Sequence, residues 1–255
     1  MKRVVQIVIL AMAIAISGIP VAHAIPAGSR VHKKSEPQSI QALTKLGIPL
    51  QRDSRGVVRW IEATEGQFND EAMSHLPGLS KLEWLEIGGG SVSPTGIAHL
   101  KDCTELRRLY IHDINLNGDE LAWLVSLTKL EALSLQRTGI NGKVLKNIKS
   151  LDTLVVLNLS GNNIVSEDMA QIANFKGLEV LALADTNITG AGIAKLEGMK
   201  SLNELNIMRC KVYDGDIETF LSMPNLRIVY AEGCSLSDYA VQNVIARFPM
   251  LAIFR

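Results

Sequence analysis

Apolar positions recur every 24 residues along most of the chain. The first repeating column holds Val58, Leu82, Leu106, Leu130, Leu154, Leu178, Leu202 and Leu226. The positions three and five residues further on are apolar in all eight units, so each unit begins with the pattern L-x-x-L-x-L. This alternation of apolar and other residues predicts one strand per unit, with one face buried.

The second half of each unit has apolar residues spaced by three, which is typical of one face of a helix. A column rich in residues that begin helices lies just before it. That column holds Asp70, Pro94, Gly118, Gly142, Ser166, Gly190, Asp214 and Asp238. We therefore expect a short helix to follow each strand.

These units predict an α/β solenoid, because neither piece can bury its apolar face alone and stacking joins the faces into one core. We expect a right-handed horseshoe with parallel strands on the concave face and short helices on the convex face. It would span residues 58–255 as eight repeats and a partial ninth.

The repeats resemble those of leucine-rich repeat proteins. In the later units a hydrogen-bonding residue lies three positions after the last leucine position, namely Thr138, Asn162, Thr186, Cys210 and Cys234. The stretches 138–142 and 186–193 resemble the exported bacterial branch of this family. The resemblance implies a non-catalytic horseshoe whose concave face binds other macromolecules, usually proteins. Gly66, Gly90 and Ile114 depart from the pattern, so we expect the first coils to turn differently.

The first 24 residues are typical of a secretory signal peptide. Lys2 and Arg3 precede the apolar run Val4–Ile16, and the small residues Ala22 and Ala24 follow. We expect cleavage after Ala24, a secreted, periplasmic or cell-envelope location, and no membrane insertion of the mature protein. Residues 25–36 read as a flexible leader and residues 37–57 as an N-terminal cap, with a helix from Ser39 to Gly47.

At the other end, the sequence reaches Phe254 and Arg255 as a ninth strand begins. A strand edge left open here invites pairing with another chain. Self-association through this edge is therefore one hypothesis.

Charge excludes one class of partner. The chain has 26 basic and 26 acidic residues, so it lacks the broad positive field of a nucleic-acid-binding protein.

Side chains between the buried strand positions should line the concave face, and aromatic and charged residues among them are the candidate binding residues. They are Trp60, Glu62, Trp84, Glu86, Arg108, Tyr110, His112, Val156, Val180, Ala182 and Tyr230. We expect Val156, Val180 and Ala182 to form an exposed apolar patch in the middle of the face. A protein partner would bury the aromatic residues and this patch.

Two alternatives stay open. Trp60, Trp84 and Tyr110 could instead stack on the sugar rings of an envelope glycan. The chain could also be a passive structural component of the envelope, in which aromatic and β-branched residues only stabilise the sheet through neighbouring strands.

Catalytic and metal chemistry is weakly signalled, and no cofactor is predicted. His112 and Asp113 are adjacent, but neighbours on a strand point to opposite faces. His75 and His99 share a helix column without a third metal ligand. Cys210 and Cys234 share a turn column, so either they form a disulfide or both are small buried thiols.

Overall fold

The computed structural model describes residues 34–116 and 121–255. The predicted signal peptide, residues 25–33 of the leader and the predicted helix-start residue Gly118 lie outside them. Within the described residues, ten strands form one sheet in the order of the sequence, β1 to β10. Helices lie on one side of this sheet, which is the architecture that the repeat predicts.

The N-terminal segment forms a helix and a strand. Helix α1 (Glu36–Lys45) begins three residues before the expected Ser39, with Ser35 and Gln38 capping its first turn and Gly47 following it at φ 75°. Strand β1 (Leu50–Arg52) then pairs antiparallel with β2 (Val58–Ala63). The first repeat strand is therefore paired on both edges.

The remaining strands pair in parallel. They are β3 (Trp84–Gly88), β4 (Arg108–His112), β5 (Ala132–Gln136), β6 (Val156–Asn158), β7 (Val180–Ala182), β8 (Glu204–Asn206), β9 (Ile228–Tyr230) and β10 (Ala252–Phe254). From β2 onward, every register pair joins residues 24 apart, as Trp60 with Trp84 does. The 24-residue sequence period is thus the register of the sheet.

A short helical segment follows most strands, as the sequence predicts. The α-helices are α2 (Asp70–His75), α3 (Pro94–Ile97), α4 (Val144–Ile148), α5 (Met169–Ile172), α6 (Gly190–Ala194) and α7 (Asp238–Arg247). Tighter 3₁₀ segments cover Leu76–Gly78, Ala98–Asp102, Ala122–Ser126, Ser166–Asp168 and Asp214–Ser222. Most of these segments are only one or two turns long, a length at which 3₁₀ geometry is common.

The core between sheet and helices is continuous and contains a buried polar ladder. Thr138, Asn162 and Thr186 are nearly or fully buried. Asn162 donates to the carbonyls of Leu135 (2.6 Å) and Leu159 (2.9 Å), and its Oδ1 accepts from the Thr138 amide at 3.0 Å. One side chain therefore satisfies backbone groups of two successive coils.

Both cysteines of this column are free thiols in this structure, which agrees with the thiol alternative and not with the disulfide. The Sγ of Cys210 lies 3.1 Å from the Leu183 carbonyl, and the Sγ of Cys234 lies 3.1 Å from the Ile207 carbonyl. Each thiol donates to the carbonyl 27 residues earlier, which is the hydrogen bond that Asn162 makes in its own coil. The two sulfurs are thus engaged by the backbone and not by each other.

The first coils do turn differently, as their departures from the repeat suggest. Gly66 and Gly90, which occupy the ladder position in their coils, have positive φ of 77° and 85°. A Cβ on Gly90 would lie 2.5 Å from the carbonyl oxygen of Phe68, so the two chains approach too closely for any side chain. At this end of the solenoid the turns are made by glycines with positive φ, where the later coils have hydrogen-bonding side chains.

Candidate functional site

A cavity of about 540 Å³ opens at the N-terminal end of the concave face. It lies over the starts of β2 to β5. Its lining combines two tryptophans with charges of both signs: Asp53, Arg59, Trp60, Glu83, Trp84, Arg107, Arg108 and Glu131. We call this the aromatic cavity.

Strand register places its aromatic residues. Trp60 and Trp84 are register partners on β2 and β3, and Arg108 is the next partner on β4. The Arg108 guanidinium lies 5.3 Å from the centre of the Trp84 ring, which in turn meets Tyr110 edge to face at 5.8 Å. Trp84 is therefore held by two neighbours, whereas Trp60 keeps 39% of its surface exposed.

The charged rim of the aromatic cavity is a chain of ion pairs between successive coils. Arg59 contacts Asp53 at 3.0 Å and Glu83 at 2.5 Å, and Arg107 contacts Glu131 at 2.5 Å. These five residues were not among the predicted binding residues. The signal was present, because Arg59, Glu83, Arg107 and Glu131 form one column of alternating sign.

Two predicted carboxylates lie side by side next to the cavity. Glu62 and Glu86 are register partners on β2 and β3. Glu62 is exposed, but Glu86 retains only 8% of its surface. Burial, followed by the repulsion of Glu62, raises the pKa of Glu86, and His112 partly opposes this. Like charges directly opposite each other destabilise a sheet, so the pair is not explained by folding.

His112 and Asp113 do contact, contrary to the expectation that they point apart. The Nδ1 of His112 lies 3.0 Å from the Oδ2 of Asp113. Asp113 has a left-handed φ of 58°, which ends the strand alternation and turns its carboxylate back toward the ring. That carboxylate also accepts two hydrogen bonds from Arg137, so it is part of an ion-pair chain along the rim.

The expected exposed apolar patch in the middle of the concave face is wrong. Val156, Val180 and Ala182 retain 0, 4 and 1% of their surface. Tyr110, Ala132 and Val155 are covered as well. Together with Val156 and Val180 they form one apolar cluster, and Trp84 packs against it. Side chains on strands about 4.8 Å apart cover one another where the sheet bends inward. We call this covered part of the face the floor, and it presents little accessible apolar surface.

The C-terminal end of the face carries Tyr230 and Glu204. Tyr230 is half-buried and stacks on Phe254 of β10, with ring centres 5.4 Å apart. Glu204 was not among the predicted site residues, yet it is a charged side chain with only 5% of its surface exposed. Burial raises its pKa.

The proposed histidine pair offers little for a metal. His75 Nε2 lies 3.3 Å from Lys34 Nζ, so a cation already faces it. In residues 34–116 and 121–255, no group of three or more His, Cys, Asp or Glu side chains is arranged to hold a metal ion. No helix in the same ranges is long and apolar enough to cross a membrane.

Comparison with known proteins agrees with the geometry. The Leucine Rich Repeat family matches residues 153–175. Internalin C2 from Listeria monocytogenes has a similar structure, with a TM-score of 0.64 at 17% identity, over 89% of this chain and 99% of that one. No curated protein sequence matches the chain.

Two further structures share the coil stacking. A leucine-rich repeat protein from Leptospira interrogans matches with a TM-score of 0.50 and 18% identity, over 71% of this chain and 50% of that one. The plant receptor RGFR1, solved in complex with the peptide hormone RGF2, matches with a TM-score of 0.50 and 19% identity. This match covers 80% of the chain but only 36% of the receptor.

By fold the chain is a leucine-rich repeat solenoid, with the family's repeat motif matched at residues 153–175, and the predicted α/β horseshoe is confirmed. Solenoids of this kind commonly recognise other proteins on their extended concave surfaces and are typically not catalysts. The fold alone does not assign a ligand.

Proposed function

We propose that this protein is an exported, non-catalytic recognition module that binds a protein partner at the N-terminal end of its concave face. The observation that carries the proposal is Trp60, which is 39% exposed at the mouth of the aromatic cavity. Exposed tryptophan beside arginine is the composition of binding hot spots.

The neighbours of Trp60 support this role. Trp84 is fixed by Arg108 and Tyr110, so the wall behind Trp60 is already ordered before a ligand arrives. The ion pairs of Arg59 and Arg107 fix the rim in the same way. An ordered site loses less conformational entropy on binding than a mobile one.

A glycan ligand is the second candidate. Its support is the same pair of tryptophans, which lie on adjacent strands at matching positions. The Trp84 ring is already in contact with Arg108 and Tyr110, which leaves it less free ring surface for a sugar and favours the protein ligand.

The test compares Trp60→Ala with Tyr239→Ala, an equally drastic loss of an aromatic side chain that is 81% exposed on α7. Each purified variant and the wild type would be incubated with an envelope extract and the bound material analysed. We expect a protein that is retained by wild type and Tyr239→Ala and lost with Trp60→Ala. Retention of a polysaccharide instead would favour the glycan, and equal retention by all three proteins would contradict the proposal.

We also propose that two copies of the chain can associate through the open edge of β10. Ala252, Met250 and Phe254 are exposed at this end, with Met250 at 68% and Phe254 at 54%. Light scattering at high micromolar concentration tests it, since a monomer throughout the range would exclude the dimer.

A further inference from the structure

One row of the concave face carries two unpaired charges of opposite sign, separated by apolar residues. The row is defined by consecutive register pairs and reads Arg108, Ala132, Val156, Val180, Glu204. Arg108 lies on β4 and Glu204 on β8. Four strand steps therefore separate the cation from the anion.

Two polar side chains on the neighbouring row of this face are hydrogen-bonded within the protein. Asn158 accepts from the Ser160 amide at 2.9 Å, and Asn206 accepts from the Met208 amide at 3.1 Å. Among the described residues, neither Arg108 nor Glu204 has a salt bridge or a hydrogen bond, and the Arg108 guanidinium lies over the Trp84 ring.

Glu204 is the more unusual of the two. The residue retains 5% of its surface and lies between Val180 and Ile228 on the neighbouring strands, and among the described residues no cationic side chain faces it from β7 or β9. Removing a carboxylate from water is costly unless a partner compensates it. No residue in the described ranges supplies that partner, and a basic group of a ligand would complete the charge pair.

The spacing limits what the ligand can be. Strands lie about 4.8 Å apart, so four steps span about 19 Å. An extended polypeptide advances about 3.3 Å per residue and alternates its side chains, so its residues i and i+6 reach both charges from the same side. Residues i+2 and i+4 then lie over Ala132, Val156 and Val180, which form an apolar floor.

We infer that Arg108 and Glu204 are charge anchors for an extended segment of the protein partner that carries an acidic and a basic side chain six residues apart. The acidic side chain pairs with Arg108 and the basic one with Glu204, while the residues between them cross the covered floor. This inference rests on the proposed protein-binding function and adds the chemistry of the ligand.

Three libraries of displayed dodecapeptides test it on the immobilised protein. One fixes Asp and Lys six residues apart, one fixes two Asp residues and one fixes two Lys residues at the same positions, with all other positions random. On wild type we expect the Asp–Lys library to be enriched at least about tenfold over the other two, which corresponds to about one well-placed charge pair.

Charge reversal provides the control for folding. With Glu204→Lys we expect the preference to move to the two-Asp library, and with Arg108→Glu to the two-Lys library. A variant that gains a new ligand is folded, so the shift does not depend on comparing losses.

Equal enrichment of the three libraries, or preferences that charge reversal leaves unchanged, would overturn the anchors. If Trp60→Ala still abolishes capture of the natural partner in that case, the proposed function stands without them. If Trp60→Ala also leaves that capture unchanged, both proposals are wrong.

Discussion

The Arg137 guanidinium donates two hydrogen bonds to the Asp113 carboxylate, from Nε to Oδ1 and from Nη2 to Oδ2, each at 2.6 Å. Both residues have left-handed backbone, at φ 53° and 58°. Asp185 and Arg209 repeat the arrangement three coils later, also at positive φ. Left-handed φ is unfavourable for such side chains and is tolerated where surroundings fix it.

Glycines complete this column. The residues at its successive positions from β3 onward are Gly89, Asp113, Arg137, Gly161, Asp185, Arg209 and Gly233, all with positive φ. A Cβ on Gly161 would lie 2.5 Å from Cγ of Arg137, and one on Gly233 would lie 2.8 Å from Cγ of Arg209. Each arginine thus has an aspartate on one side and a glycine that makes room for it on the other.

The first prediction concerns acid stability. The Arg137 hydrogen bonds lower the pKa of Asp113 from 3.8 to about 2. Because the pKa of Asp113 is lower in the folded than in the unfolded protein, its carboxylate adds to the free energy of unfolding at pH values above the unfolded pKa. This contribution disappears as the pH falls from about 4 to about 2. Because the side chain is 45% exposed, solvent screening keeps the effect below about 1 kcal/mol.

The measurement is urea unfolding of wild type and Asp113→Asn between neutral pH and pH 2. Asparagine tolerates left-handed backbone, so the substitution removes the charge with little change in strain. We expect the stability difference to shrink toward low pH. A difference that stays constant across this range would show that the ion pair contributes nothing.

The second prediction separates contact from backbone conformation. Gly90→Ala should destabilise the fold by about 2 kcal/mol or more, since the new Cβ meets the Phe68 carbonyl as well as an unfavourable φ. Gly56→Ala is the control, because Gly56 has a similar φ of 78° but no atom within 4 Å of its Cβ position. We expect a cost of only about 1 kcal/mol there. Equal losses in thermal unfolding would contradict the close approach.

The third prediction concerns the buried ladder. Asn162→Ala should cost about 3 kcal/mol, because the Thr138 and Ile140 amides and the Leu135 carbonyl each lose a buried partner. Asn187→Ala is the matched control, as this exposed side chain makes one hydrogen bond to Asn163. Chemical denaturation should show less than about 0.5 kcal/mol for the control. A loss for Asn162→Ala as small as this would contradict the ladder.

The fourth prediction concerns the thiols. Unfolding without reductant should release three free thiols per chain, from Cys103, Cys210 and Cys234. Cys210→Thr should be well tolerated, because Thr186 holds the preceding rung of the same column with a hydrogen bond of 2.6 Å to the Leu183 carbonyl. A count of one thiol would mean that Cys210 and Cys234 are bonded in solution.

Much of the fold was readable from the sequence because a fixed repeat length forces register. Equal coils must align residues 24 apart, so the columns of the sequence became neighbours in space, as Trp60 and Trp84 show. The conformation of the turns was less accessible. The residue type of Arg137 does not predict its left-handed backbone, because that conformation depends on Asp113 and Gly161 in the adjoining coils.

The sequence alone determined which side chains face the concave wall, because alternation along a strand is a local property. Only the tertiary structure decided how much of each is exposed, since that depends on the bending of the sheet and on neighbours 24 residues away. Val156 and Val180 were covered by this bending, whereas Trp60 stayed open. The absence of a partner for Glu204 was likewise invisible until every coil around it was in place.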